Sequence, residues 1–231
     1  MIVAFAAALA FAAQAPRVEF HAYRVTGAAG TERVDFAGDP AAGCADRGVC
    51  GFSGSETFVP VRPDPGELAT FTRTGRRIGG QAVFNGGNTT ASVATAGSDA
   101  TCTDALVVRR AVVTFRPAGP KVRAILHGPA GEPPVAQDAA VFATHCAGPR
   151  VGDLALAGAL PSAVVPVSAL RKPMILLRLA ADTTFSQAGF SGHVVADVRV
   201  RLKRDRRLEQ LLRASGGLLS QADLLGSSVA P

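Results

Sequence analysis

The chain has 231 residues, 48% of them hydrophobic and only 18% charged, which supplies enough apolar material for a substantial core and excludes a wholly disordered chain. The net charge is +6, carried almost entirely by arginine, since Lys121, Lys172 and Lys203 are the only lysines. Trp is absent and Tyr23 is the sole tyrosine, which argues against a groove that stacks nucleobases or sugar rings, so nucleic acid is not an expected partner.

In chain order, Ile2 to Ala13 form an unbroken apolar run. It falls short of the ~18 or more apolar residues that cross a bilayer. Small residues follow it, which is the form of a secretory signal, read here as residues 1–15. Ala13-Gln14-Ala15 and Ala10-Phe11-Ala12 both have the small-x-small form of a cleavage site. The competing reading of the run is a buried N-terminal strand or helix. Four cysteines, Cys44, Cys50, Cys102 and Cys146, include no CxxC and no zinc-finger spacing. In an exported chain an even count predicts two disulfides, of which three pairings exist. Cys44–Cys50 with Cys102–Cys146 is the preferred one, because the first closes a short Gly-containing loop.

The mature region, 16–204, reads as β-structure. "RVEFHAYRV" alternates, with Val18, Phe20 and Ala22 on one face and Glu19, His21 and Tyr23 on the other. "TERVDF" reads as a second short strand, and "AGDPAAGCADRGVCG" as a loop. "SETFVPVRP" and "ELATFTR" are strands separated by turn residues. "QAVF-NGGN-TTASVAT" carries the strongest hairpin signal, because Asn and Gly accept the positive φ of a tight turn. "ALVVRRAVVTF", "KVRAILH" and "VAQDAAVFATHC" follow, divided by proline-rich stretches. "GDLALAGAL" fits either a short helix or a strand. "PMILLRLA" is a strand. In "GHVVADVRVRLK", Val194, Ala196, Val198, Val200 and Leu202 share one face. Residues 205–231 change character: "DRRLEQLLRASGG" offers an Asp N-cap, leucines 208, 211 and 212 on one side, and a glycine stop. Many short strands and few helices predict an antiparallel β-sandwich, immunoglobulin-like or jelly-roll-like, with a short C-terminal helix. It is read as one domain or as two packed halves split near 116–148.

"GFSG" occurs twice, at 51–54 and 189–192. A nucleophile elbow needs G-x-S-x-G leading into a helix. The fifth residue is Ser55 in one copy and His193 in the other, and strands follow both. The copies are therefore read as bends at strand entrances.

"CGFSGSETFVP", "ATCTD" and "HCAGP…FSQAGFSGHVVADVRVRLKR" resemble a pattern in exported actinobacterial proteins rich in Ala, Gly and Arg, with a signal segment and paired cysteines. The resemblance implies secretion and a disulfide-tied β fold. It carries over no catalytic residue and no activity.

No catalytic motif is found. Ser191, His193 and Asp197 share a strand face, but alternate residues stand roughly 7 Å apart and a serine–base hydrogen bond needs about 3 Å. His145 and Cys146 are adjacent, so on a strand they face opposite ways. The histidines form no HxH or HExxH, and GxxxxGK[ST] is missing, so no metal, cofactor or nucleotide site is expected. Asn88-Thr89-Thr90 is an N-glycosylation sequon. The one surface cluster is basic: Arg199, Arg201, Lys203 and Arg204, continued by Arg206 and Arg207. It fits an anionic envelope polymer or a membrane surface, against the plainer reading that charges guard a strand edge. The expectation is an exported, non-enzymatic protein of the cell envelope or extracellular space with a structural or binding role. The alternative is a secreted hydrolase whose site is assembled from distant residues.

Overall fold

A computed structural model describes residues 18–38, 49–58, 67–85, 87–95, 101–107, 110–127, 160–187 and 190–216. Among these residues, eleven strands form one antiparallel sheet: β1 (Val18–Gly38), β2 (Val49–Phe58), β3 (Leu68–Thr74), β4 (Arg77–Asn85), β5 (Gly87–Thr95), β6 (Thr101–Val107), β7 (Arg110–Ala118), β8 (Lys121–His127), β9 (Ser162–Pro166), β10 (Met174–Gln187) and β11 (Phe190–Arg204). One helix, α1 (Arg206–Ala214), follows β11.

The sheet closes on itself, and this corrects the sandwich expectation. Neighbours run β11-β10-β9-β8-β7-β4-β3-β1, and β1 then pairs with β11 from Tyr23↔Arg204 to Gly38↔Phe190. Among the described residues, eight strands thus make a barrel, while β2, β5 and β6 continue outward from β1. A sandwich and a barrel have the same inside–outside alternation. They differ in whether the first and last strands meet, and periodicity carries no information about that.

β1 makes the branch. Its first part, Val18 to Arg24, pairs with β3, and Gly30 to Ala37 pair with β2. "RVEFHAYRV" and "TERVDF" are accordingly one strand, not two. A register shift between Val25 and Gly27 and a positive φ of 135° at Gly30 bend it. Among the described residues, the strands on either side of "NGGN" do not pair as the expected hairpin. β4 pairs with β3 and β7, whereas β5 pairs with β2 and β6, so the chain there leaves the barrel for the outer strands. The tight hairpins lie instead at Gly75-Arg76 and Gly119-Pro120, each with its glycine at φ 60°.

The barrel interior is filled with side chains. Val25, Phe71, Phe84, Phe115, Leu126, Leu177, Leu179, Val198 and Leu202 belong to one buried cluster. Phe71 packs edge-on against Tyr23 and Phe115, with ring centroids 5.5 Å and 4.4 Å away. Fully burying a residue such as Leu177 stabilises the fold by about 1.5–3 kcal/mol. The inward face assigned to β11 is as expected, since Val194, Ala196, Val198, Val200 and Leu202 are all buried. The outward positions of the described barrel strands carry Arg116, Arg123, Arg199, Arg201 and Lys203, all exposed.

A 3-10 turn, Val167–Arg171, lies across one end and buries Leu170. The Tyr23 hydroxyl donates to the Leu170 carbonyl at 2.6 Å, with the Lys172 carbonyl 3.1 Å away. Burial pushes this phenol up to about 12, ahead of a downward pull from Arg204 and an upward one from Glu209. α1 docks outside the barrel. Its Leu208 and Leu212 pack with Ala22 and Leu68, and Phe20 lies against them. The helix therefore covers the Phe20/Ala22 face of β1, and Tyr23 on the opposite face enters the core. Asp205 caps the helix by accepting from the Leu208 N–H at 3.1 Å, and Gly216 ends it at φ 63°. Leu211, expected on the docking face, is 37% exposed.

Candidate anion-binding site

Where β11 runs into α1, the local sequence is Leu202-Lys203-Arg204-Asp205-Arg206. Strand alternation turns Leu202 into the core and Lys203 out to solvent. The turn into the helix then brings Arg204 to Arg206 beside the start of β10. A hollow of about 600 Å³ results, lined by Arg24, Thr26, Arg171, Pro173, Lys203, Arg204, Asp205 and Arg206. Five of these residues are cationic and Asp205 is the one acid.

The cations are held differently. Arg204 forks onto Glu209, with Nε to Oε1 at 2.7 Å and Nη2 to Oε2 at 2.9 Å, and Nη1 donates to the Arg171 carbonyl at 3.0 Å. Glu209 is buried, and its bond holds the Arg204 guanidinium above its ordinary value. Arg24 Nε donates to Asp205 Oδ2 at 2.7 Å. Burial pushes the Asp205 carboxyl up, but the Leu208 N–H and the Arg24 guanidinium outweigh it and leave it low. Arg171 reaches Glu19 at 3.0 and 3.1 Å. Glu19 is likewise pushed up by burial and brought below its usual value by Arg171 and Arg73. Lys203 and Arg206 are exposed and complete the rim.

A second hollow of about 380 Å³ shares Arg171 and Arg204 with the first and adds Val18, Glu19, His21 and Arg213. His21 is 6% exposed, and its Nδ1 makes no hydrogen bond. The Glu209 carboxylate lies 3.7 Å from Nδ1, and Glu19 lies 3.5 Å from Nε2. Burial pushes the imidazole down. Glu209 and Glu19 pull it up, Arg204 opposes them, and the result lies below the ordinary value.

The four basic residues expected to meet an anionic partner separate into two groups. Lys203 and Arg204 line the hollow, while Arg199 and Arg201 lie further along the outer face of β11. Sequence reasoning missed Arg24 and Arg171, which are 147 residues apart in the chain. Nothing local marks them, and only β1–β11 pairing and the 3-10 turn bring them together.

The trio Ser191, His193 and Asp197 does not assemble. His193 Nε2 lies 2.6 Å from Asp182 Oδ1, and Asp197 accepts two bonds from Arg178, at 2.8 and 2.9 Å. Among the described residues, no serine hydroxyl bonds to His193, and no group of three His, Cys, Asp or Glu side chains is placed to hold a metal. The first GFSG stretch and Phe190 to Gly192 of the second lie in strands flanking the end of β1: Phe36 is opposite Phe52 on one side and Gly192 on the other. The first copy begins at a register shift between Val49 and Gly51, near the start of β2, and the second at the start of β11.

Cys44, Cys146 and His145 lie outside the described residues, as do the "GDLALAGAL" segment up to Ala159 and the apolar run at the N-terminus. Cys50 stands on β2 and Cys102 on β6, with β5 between them. Two strand spacings amount to about 10 Å, more than the ~7 Å a disulfide spans between Cα atoms. Backbone placement thus disfavours Cys50–Cys102 and leaves the pairings in which each of these reaches Cys44 or Cys146.

No family model matches the chain, and no curated protein or solved structure matches it. No described helix is long and apolar enough to cross a membrane.

Proposed function

We propose that the chain is an exported β-barrel of the cell envelope or extracellular space that binds anionic material through the cationic end of its barrel. The observation that carries this reading is the hollow lined by Arg24, Arg171, Lys203, Arg204 and Arg206, five cations against the three carboxylates of Asp205, Glu19 and Glu209 that pair with Arg24, Arg171 and Arg204. Convergence of like charge in a concave site raises the local potential and draws in counter-ions. Export is supported by the apolar run Ile2 to Ala13 and by the even cysteine count. We read the role as binding, with the filled barrel interior as its scaffold.

The test is retention on immobilised dextran sulfate. The full chain binds at low salt and elutes as salt rises, because exposed charge pairs are screened. Replacing Lys203 and Arg206 with Gln lowers the eluting salt, and replacing Arg199 and Arg201, which lie outside the hollow, lowers it less. Retention indifferent to both salt and these changes overturns the reading.

A further inference from the structure

Beside the hollow, the outer face of four consecutive strands has an unusual order. β8 presents Arg123, and its register partner on β9 is Val164, 48% exposed. β10 then presents Met174 and Leu176, 52% and 61% exposed. Opposite them on β11 stand Lys203 and Arg201, in the register pairs Met174↔Lys203 and Leu176↔Arg201. On the β9 side the pair Ala180↔Ser162 sets Val164 level with Arg178 and diagonal to Leu176, so Val164, Leu176 and Met174 form an apolar strip flanked by Arg123 and Arg178 at one end and by Arg201 and Lys203 along β11. Outward positions of a water-facing barrel need no Met or Leu, and their inward neighbours Ile175 and Leu177 already fill the core. Lys203 belongs to both features, since it also lines the hollow.

We infer that this face docks on an anionic lipid bilayer, with Met174, Leu176 and Val164 entering the headgroup–acyl boundary and Arg123, Arg201 and Lys203 contacting lipid phosphates. The inference rests on the proposed anion-binding role and narrows it to a membrane surface. Charge complementarity selects the occupant. A soluble polyanion gains nothing from the apolar strip, whereas a bilayer rewards both parts, because apolar side chains bury in the interface while basic ones meet anionic headgroups. Long Lys and Arg stems also lie along apolar surface with their charged ends at the phosphate level.

The experiment uses the full chain with phosphatidylcholine vesicles, with and without phosphatidylglycerol, alongside the dextran sulfate matrix. Wild type binds the vesicles that contain phosphatidylglycerol. The double variant Met174→Ser/Leu176→Ser binds them roughly tenfold more weakly, as expected for losing part of two apolar burials, and keeps wild-type retention on dextran sulfate. The chain contains no Trp, so Leu176→Trp provides a single reporter. Its emission shifts to the blue with these vesicles and stays put with soluble dextran sulfate. Vesicle binding unchanged in the serine variant, a reporter that does not shift, or retention on dextran sulfate without vesicle binding overturns the membrane inference and leaves anion binding standing. Failure to bind either material overturns both.

Discussion

Arg204 and Glu209 are joined by two hydrogen bonds, at 2.7 and 2.9 Å, across the junction between the last barrel strand and the only described helix. Glu209 Oε1 also accepts from the Ala22 N–H at 3.3 Å. One carboxylate therefore ties β11, α1 and β1 together and fixes the wall shared by the two hollows.

Glu209→Ala removes the partner of a guanidinium that is 22% exposed. We expect a loss of about 2 kcal/mol in denaturant unfolding, below the 3–5 kcal/mol typical of fully buried pairs because water reaches Arg204. Glu209→Gln, which keeps the shape, loses less. Equal stability of all three proteins would show that the junction is held by the leucines alone.

His21 gives a pH dependence with a definite sign. Its folded value lies below the ordinary 6.5, so between those two values the unfolded chain binds the proton more readily. Stability is complete above 6.5 and falls as pH drops through that window. Asp205 and Glu19, both depressed, act lower: their contribution is present above 3.8 and 4.5 and is lost as pH falls through their folded values. Unfolding of His21→Gln measured across the pH range removes the upper phase and leaves the acid phase in place. An unchanged upper phase would assign it to another group.

Two glycines separate backbone need from open space. A Cβ at Gly30 would lie 2.0 Å from the Asp197 carbonyl oxygen, at a φ of 135° that L residues rarely adopt, whereas a Cβ at Gly79 meets nothing within 4 Å. Gly30→Ala should cost more than about 2 kcal/mol or prevent folding, and Gly79→Ala should lie within about 0.5 kcal/mol of wild type. Thermal unfolding of the pair distinguishes them. Near-equal midpoints would mean that β1 and β11 do not approach as closely as described.

Much of the local structure was legible in the residues. The inward face of β11 and the capped amphipathic helix follow from alternation, an Asp N-cap and a glycine stop. The barrel was not legible, because closure depends on Tyr23 meeting Arg204 across nearly the whole chain. The "NGGN" stretch misled because its residues signal a sharp backbone bend without specifying which strands pair afterwards. Phe20 and Ala22 suggested a core face; Ala22 is buried and Phe20 partly buried, but by α1 from outside. For the site, Lys203 and Arg204 were visible as a basic run. Arg24 and Arg171 were not, since a lone arginine in a strand or turn looks the same whether or not the fold brings it to a hollow.

Amide chemical shifts, recorded as polyphosphate is titrated into isotopically labelled protein, test most directly whether the cationic hollow is the binding site. The account predicts saturable shifts concentrated at Thr26, Lys172 and Lys203 to Arg207, with little change at Asp35 and His193 toward the opposite end of the β1–β11 ladder. Shifts concentrated at that opposite end, or none at low salt, would contradict it.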